Sequence, residues 1–278
     1  MDENQPQIEY WNGRAGANWT VYQEATDLAL APLGEATLAA AAVRAGERAL
    51  DVGCGCGATA LVLAERVGAT GHVLGVDVSL PMLGRARERL RGAANVELRE
   101  ADAATARFGG DRDLLFSRFG VMFFLDPTAA FANLRTALAP RGRVAFCCWR
   151  PARENPWATI PAEAIAPFVE PEPPVEGIPP GPFAFADPER VRAILGGAGF
   201  SAIELAAQDA PLRWTATPDL DVAVDLFSHI GPASRRLAEA PQEARARGLA
   251  ALRAALAPHV GPTGLVLGGA VWIVTARR

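Results

Sequence analysis

The chain has 278 residues, 50% of them are hydrophobic, and its formal net charge at pH 7 is -4. This length and apolar content predict one large folded core with lid-like additions, and they exclude a chain that is mainly disordered. A net negative charge gives no overall attraction to a polyanion, so we expect no nucleic-acid partner, although all 27 basic residues are arginines.

The first predicted element is a helix over residues 27–43, where leucine and valine recur among alanines. From residue 44 onward, short apolar runs alternate with helical runs. The runs typical of strands are 48–53, 71–79, 95–103, 112–120 and 143–149, and the helical runs between them are 58–68, 80–92 and 127–142. This alternation predicts a parallel sheet with helices on both faces.

The pattern changes after Trp149. The proline-rich residues 171–182 predict an extended loop, and a helix begins after the N-cap residue Asp187. The rest of the chain predicts a strand, a helical insertion and a strand, over residues 201–214, 217–258 and 264–278. We therefore expect an α/β fold with a doubly wound, mostly parallel seven-stranded sheet, an antiparallel last strand and helical lid insertions.

These patterns divide the chain into four parts. They are an N-terminal helical lid (1–43), a cofactor-binding core (44–150), a proline-rich insertion or lid (151–186), and a C-terminal part of the core (187–278) that contains the helical insertion 217–258.

The cysteines form two close pairs, Cys54 with Cys56 and Cys147 with Cys148. Neither pair has the spacing of a zinc knuckle or of a disulfide oxidoreductase motif, so we expect no metal. The first residues lack the features of a signal peptide, and no apolar run reaches membrane-spanning length. We therefore expect a cytoplasmic protein without membrane insertion.

The stretch "DVGCGCGATA", residues 51–60, places three glycines between a predicted strand and a predicted helix. Such a turn presents backbone N–H groups at the positive end of a helix, where they stabilise an anionic group. Gly53, Gly55 and Ala58 also satisfy the relaxed dinucleotide fingerprint, and Asp77 after the second strand would bind ribose hydroxyls. On these residues alone, NAD stays an alternative.

Three features favour a different cofactor. Asp51 occupies a position where a dinucleotide-binding fold usually has an apolar residue. About fifty residues precede the loop, whereas dinucleotide domains commonly begin close to it. The predicted sheet also ends in a strand, a helical insertion and a strand, which is not a second mononucleotide half.

The motifs "LDVGCGCG", "GVDVS", "ADA", "DLLFSRFGVMFF" and "LAPRGRVAFCCW", in this order, resemble those of class I S-adenosylmethionine-dependent methyltransferases. The resemblance is closest to the group that includes ubiquinone- and menaquinone-biosynthesis methyltransferases, and it covers residues 44–149. It implies a Rossmann-like methyltransferase fold, S-adenosyl-L-methionine as cofactor, and methyl transfer as the reaction. The chain has Pro140-Arg141-Gly142 where the family commonly has Pro-Gly-Gly.

The resemblance also implies a set of cofactor contacts at the strand ends. Asp51 and the backbone of Gly53, Cys54 and Gly55 would contact the methionine part, and Asp77 would contact the ribose. Val78, Met82, Asp102 and Ala103 would contact the adenine, and Ser117 would close the site. Each has a purely structural alternative as a helix cap, a core residue or a strand-end hydroxyl.

The methyl acceptor is the open part of the prediction. Aromatic residues outside the strands favour a small, apolar or aromatic molecule, methylated on O, N or C, and the pocket candidates are Trp19, Tyr22, Arg118, Phe119, Met122 and Trp149. A base is required only if the acceptor starts protonated, and the candidates are His229 and Tyr22. An NAD(P)-dependent oxidoreductase and a non-catalytic cofactor-binding protein of the same fold stay as alternatives, and the oligomeric state is open.

Overall fold

The computed structural model describes residues 4–171 and 177–278. The strands are β1 (Arg48–Val52), β2 (His72–Asp77), β3 (Val96–Glu100), β4 (Arg112–Arg118), β5 (Leu138–Trp149), β6 (Ser201–Arg213), β7 (Val260–Gly261) and β8 (Gly264–Arg277). The helices are α1 (Gln5–Asn12), α2 (Arg14–Val21), α3 (Gln23–Ala41), α4 (Ala58–Val67), α5 (Leu80–Arg89), α6 (Pro127–Arg135), α7 (Pro156–Ile165), α8 (Pro188–Gly197), α9 (Leu220–His229), α10 (Pro232–Glu239) and α11 (Gln242–Leu256).

One sheet organises the molecule, with the strand order β3-β2-β1-β4-β5-β8-β6 and the two-residue β7 paired with β8. Strands β1 to β5 are parallel, whereas β8 is antiparallel to both β5 and β6. The predicted class, a mostly parallel doubly wound sheet with an antiparallel last strand, is confirmed. The edge strand is β6, because β8 lies between β5 and β6.

The strand order reverses at β1. From β1 the chain continues outward to β2 and β3, and then returns to the other side of β1 to form β4 and β5. The loops after β1 and β4 therefore leave the sheet in opposite directions and open a crevice at its carboxyl edge, the usual ligand position in such sheets.

The two faces of the sheet bury separate sets of apolar side chains because successive residues of a strand point to opposite faces. On β1, Leu50 and Val52 belong to the larger core, and Ala49 belongs to a smaller core with Leu63 of α4 and Phe116 of β4. This double burial explains why β1 is apolar on both faces and why the one charged residue in its buried part, Asp51, is conspicuous.

The predicted helix over residues 127–142 is wrong in its last part. Helix α6 ends at Arg135, and Leu138 already pairs with Arg112 as the start of β5. Pro140 has no backbone N–H to continue a helix, and the register jumps between Arg112 and Leu114, so a bulge accommodates the proline at the start of the strand.

Other predicted elements match the structure closely. Asp187 caps α8 by accepting a hydrogen bond from the Glu189 amide at 3.0 Å, and the helical insertion contains α9, α10 and α11. Helices α1 and α2 lie in the segment 1–43 that was expected to be helical, although their bounds were not predicted, and α7 was not predicted. Part of the predicted loop 171–182 lies outside the described residues, and the division into four parts stays a prediction. No helix among the residues that the structure describes is long and apolar enough to cross a membrane.

Candidate functional site

The glycine loop joins β1 to α4 at the carboxyl edge of the sheet. Gly53 has φ +69°, and a Cβ on it would lie 2.7 Å from the Cα of Gly120 in the turn after β4. A Cβ on Gly55, which has φ +53°, would lie 2.8 Å from the Cε of Met82 on α5. At Gly53, packing against the Gly120 backbone and the positive φ both require glycine, independently of any ligand. At Gly55 the constraint is the positive φ, because the flexible end of Met82 can move aside.

The backbone N–H groups of this loop are engaged within the protein. Gly53 and Cys54 both donate to the carbonyl of Val76, at 2.9 and 3.1 Å, and Gly55 donates to the Asp77 carboxylate at 2.8 Å. The expected set of free N–H donors for an anionic group is therefore absent at these three residues.

Asp51 is a fully buried carboxylate, with 0% exposure. Its Oδ2 accepts a hydrogen bond from the Thr59 hydroxyl at 2.6 Å, and its Oδ1 has no partner among the described residues. Burial raises the pKa of Asp51 to about 7, assisted by the nearby Asp77 charge and opposed by Thr59 and by the Arg118 charge. An unpartnered buried acceptor is costly, so this oxygen is suited to a cationic group of a ligand.

Asp77 is the last residue of β2, and Asp102 lies two residues after the end of β3. Asp77 accepts hydrogen bonds from the Gly55 and Ser79 amides, at 2.8 and 2.9 Å, and burial raises its pKa above the usual range. Asp102 accepts from the Ala104 amide at 2.9 Å and from the Asn4 side chain at 3.0 Å. Each carboxylate keeps further lone pairs, so these contacts leave room for ligand hydroxyl or amino groups.

The remaining predicted cofactor contacts have packing roles. Val78 accepts a hydrogen bond from Asn12 through its carbonyl, and Met82 and Ala103 are buried. The Ser117 hydroxyl donates to the Val52 carbonyl at 2.8 Å and accepts from the Gly120 amide at 3.1 Å. These two hydrogen bonds join the end of β4 to the end of β1. They are the structural role that was the alternative for Ser117 as a strand-end hydroxyl.

Helix α1 is bound to the segment that follows β2. Asn12 accepts a hydrogen bond from the Leu80 amide at 2.9 Å and donates to the Val78 carbonyl at 2.8 Å, and the Ser79 hydroxyl donates to the Trp11 carbonyl at 2.7 Å. These bonds attach the N-terminal helices to the residues that immediately follow Asp77. The N-terminal segment is therefore part of the site.

A charged cluster joins α3 to the glycine loop. Asp27 of α3 forms ion pairs with Arg89 at 2.8 Å and with Arg118 at 3.5 Å. Arg89 in turn donates to the Cys56 carbonyl at 2.7 Å. Arg118, predicted as a pocket residue for the acceptor, thus lies beside α3.

The two candidate bases, Tyr22 and His229, meet directly. The Tyr22 hydroxyl donates to the Asp225 carboxylate at 2.6 Å and lies 3.0 Å from the His229 Nδ1. Burial, followed by the hydrogen bond to Asp225 and the Asp225 charge, raises the pKa of Tyr22 above its usual range. Tyr22 therefore stays a phenol near neutral pH, which makes it a donor.

The aromatic pocket candidates differ in burial. Phe119 stacks on Trp149 with ring centroids 4.2 Å apart, and Met122 is buried in the same core. Trp19 and Tyr22 are only partly buried and pack against that core. Tyr22 also lines a cavity of about 640 Å³ between the α2–α3 junction and α9, together with Trp214 and Leu226.

The cysteines are all free and buried. Burial raises the pKa of Cys56 and of Cys147 to about 11 in each case, so neither thiol is ionised near neutral pH. Among the described residues, no group of three or more His, Cys, Asp or Glu side chains could hold a metal ion.

Sequence reasoning missed several residues of the site, which are Asn4, Asn12, Asp27, Thr59 and Arg89. Thr59 lies in the glycine-rich stretch 51–60, but no pattern marks its hydroxyl as the partner of Asp51. The other four belong to no motif and reach the site through tertiary packing.

Comparison with known proteins shows that the core is similar to methyltransferases. Residues 49–142 match a family model described as a methyltransferase domain. The chain is 39% identical over 104 residues to aklanonic acid methyltransferase DauC of Streptomyces sp. (strain C5), which covers 36% of this chain and 47% of that protein. It is 32% identical over 181 residues to nocamycin O-methyltransferase of Saccharothrix syringae, with coverage of 61% and 65%. The chain thus spans less than two thirds of either relative.

A solved structure supports the fold. The YcgJ protein of Bacillus subtilis superposes with a TM-score of 0.55 at 18% identity, over 88% of this chain and 97% of that one. The resemblance to class I S-adenosylmethionine-dependent methyltransferases and the Rossmann-like fold are confirmed.

Proposed function

We propose that this chain, whose residues 49–142 are a class I S-adenosylmethionine-dependent methyltransferase domain, transfers a methyl group to a small, largely apolar or aromatic metabolite. The observation that carries the proposal is the position of Asp51 and Asp77 at the ends of neighbouring strands, on either side of the glycine loop. In open α/β sheets this crevice is where ligands bind.

The site has the chemistry that the family's cofactor requires. The unpartnered Oδ1 of buried Asp51 suits the ammonium group of the methionine part. Since the N–H groups of Gly53, Cys54 and Gly55 are engaged, we assign this part of the cofactor to the loop's carbonyl oxygens and to Asp51. S-Adenosylmethionine, when bound, supplies an electrophilic methyl group on a sulfonium.

The other predicted contacts keep their proposed roles. Asp77 would accept both ribose hydroxyls, as it has lone pairs beyond its two amide contacts. Val78, Met82, Asp102 and Ala103 would surround the adenine, and α1 would close over it because Asn4 already contacts Asp102. Ser117 would shape the site by holding the turn that contacts Gly53.

The acceptor would enter from the side of the N-terminal helices and α9. A cavity of about 640 Å³ lined by Tyr22, Trp214 and Leu226 is of a size for a small molecule. The two relatives described above are named for aklanonic acid and nocamycin, which supports a small-molecule acceptor. One of them is named an O-methyltransferase and the name of the other gives no atom, so for this chain the methylated atom stays O, N or C.

His229 is the stronger of the two candidate bases. The Tyr22 hydroxyl is protonated and donates a hydrogen bond to Asp225, so its role is to orient its neighbours and not to remove a proton. His229 is the last residue of α9, and its Nδ1 lies 3.0 Å from the Tyr22 hydroxyl, which holds the ring beside a residue that lines the cavity. A base is needed only for an acceptor that starts protonated.

Calorimetric titration tests the cofactor, and a turnover assay tests the reaction. We expect S-adenosylhomocysteine to bind and NADH not to bind. We also expect S-adenosylhomocysteine release from S-adenosylmethionine with at least one acceptor in a panel that includes aklanonic acid and a demethylmenaquinone. Binding of NADH alone would establish an oxidoreductase instead, and cofactor binding without turnover over a broad panel would indicate a non-catalytic protein.

A further inference from the structure

Arg118 is a largely buried arginine whose positive charge has only one distant carboxylate partner among the described residues. Its side chain is 15% exposed, and its one ion pair among the described residues is a contact of 3.5 Å with Asp27. Asp27 is bound more closely by Arg89, at 2.8 Å, and by the Gln23 side chain, at 2.5 Å. A guanidinium has five N–H donors, so Arg118 has capacity for a further anionic group.

Helix α3 is shaped around this side chain. Gly34 faces Arg118, and a Cβ on Gly34 would lie 3.2 Å from the Arg118 Cδ. A glycine within a helix is less favourable than an alanine. The space for the arginine is therefore maintained at the expense of helix stability.

Opposite charges lie beside the glycine loop. The Oδ1 of Asp51, two residues before the loop, has no partner among the described residues, and the positive charge of Arg118 opposes the rise of the Asp51 pKa. Arg89 ties Asp27 to the Cys56 carbonyl, so this charged cluster adjoins the glycine loop. An acceptor for an ammonium group and donors for a carboxylate thus occur together, which matches the amino-acid end of a ligand.

We propose that Arg118 binds the α-carboxylate of the methionine part of the cofactor, while Asp51 faces its ammonium group. The assignment rests on the proposed function, and it moves Arg118 from the acceptor pocket to the cofactor site. An arginine can bind a carboxylate through two parallel hydrogen bonds, a stronger arrangement than its long contact with Asp27. Asp27 keeps Arg89 and Gln23 as partners when Arg118 turns to the ligand.

The test compares two ligands that differ only in this carboxylate: S-adenosylhomocysteine and its decarboxylated analogue, which retains the ammonium group. Their dissociation constants are measured by calorimetry for the wild type, Arg118→Gln and Arg118→Lys. The matched control is Arg66→Gln, which removes another arginine bound to α3, at Glu35. We expect Arg118→Gln to weaken S-adenosylhomocysteine binding about 10- to 100-fold and to change binding of the analogue less than about twofold.

Arg118→Lys preserves the charge without the paired donors, so we expect an intermediate loss for S-adenosylhomocysteine alone. Equal losses for both ligands would overturn the assignment, because they would make Arg118 a structural partner of Asp27. Unchanged affinity for S-adenosylhomocysteine would also overturn it. A wild-type protein that binds neither ligand would overturn the proposed function itself, and the assignment with it.

Discussion

The Asp77 carboxylate accepts a hydrogen bond from the Gly55 amide at 2.8 Å, so the end of β2 holds the loop that follows β1. The same carboxylate caps the turn into α5 through the Ser79 amide at 2.9 Å. One side chain thus fixes the relative position of two segments that line the crevice. Each carboxylate oxygen of Asp77 has a further lone pair that can accept a hydrogen bond from a ligand. The position of the loop and the binding of a ligand therefore depend on the same carboxylate.

Asp77→Ala is expected to weaken S-adenosylhomocysteine binding by about 1–3 kcal/mol, the scale of lost hydrogen bonds to a charged group. Calorimetric titration measures this change. The control is Asp113→Ala, which also removes a carboxylate bound to a backbone amide, that of Arg48, but at the start of β1 and β4. Equal affinity losses in the two variants would contradict a ligand role for Asp77.

The order of strands and helices was predictable because each element has a strong local signal. Alternation of buried runs with helical runs gave β1 to β5 and their helices, and a capping aspartate marked the start of α8. The end of α6 was not predictable from periodicity. Leu138 to Gly142 read as helix, and their pairing with β4 depends on a bulge that forms only in the sheet.

The sequence predicted the site residues only where they lie in a motif at the end of a strand. It located Asp51 and Asp77, but it could not predict which groups hydrogen-bond to their carboxylates. The contact of Tyr22 with His229 joins residues 207 positions apart, and that of Asn4 with Asp102 joins residues 98 apart. Such contacts depend on how α1, α2 and α9 pack, which no local pattern encodes.

Gly53→Ala is expected to destabilise the protein by about 2–4 kcal/mol, since the new Cβ combines an unfavourable φ with a close contact. The contact is at 2.7 Å to the Gly120 backbone, which cannot turn aside as a side chain would. Urea denaturation measures the loss. Gly68→Ala is the control because Gly68 has φ +67° and nothing within 4 Å of the added Cβ. A loss no greater than the control's would show that the Gly53–Gly120 contact relaxes.

Asp51 is expected to make the ligand-free protein less stable as pH rises. Its folded-state pKa of about 7 lies above the ordinary aspartate value of 3.8, so unfolding releases a proton between these pH values and the free energy of unfolding falls across that range. The full effect is at most about 4 kcal/mol. Asp51→Asn removes this term, so the variant should gain stability relative to the wild type between pH 4 and pH 8, as measured by urea denaturation. A constant difference over that range would mean that the Asp51 pKa is unshifted.

The contact between Tyr22 and His229 leads to a prediction that distinguishes two roles: Tyr22 orients the imidazole, and His229 removes a proton from the acceptor. Tyr22→Phe removes the hydroxyl that contacts both Asp225 and His229 but retains the ring that stacks on the imidazole, with centroids 5.4 Å apart. If His229 removes a proton from the acceptor, His229→Gln should lower kcat by about 10²-fold or more, the usual scale for a general base. Tyr22→Phe should lower kcat by a smaller factor, because the imidazole is retained and its Nδ1 keeps the Ser228 hydroxyl, at 2.9 Å, and the Asp225 carbonyl, at 2.8 Å, as hydrogen-bond partners. Both variants should bind S-adenosylhomocysteine as the wild type does, since no hydrogen bond or ring contact joins either residue to the glycine loop in the described structure.

The decisive measurement uses an acceptor that carries a proton on the methylated atom. If kcat is then unchanged in His229→Gln, His229 is not the base, and its contact with Tyr22 only packs α9 against the junction of α2 and α3.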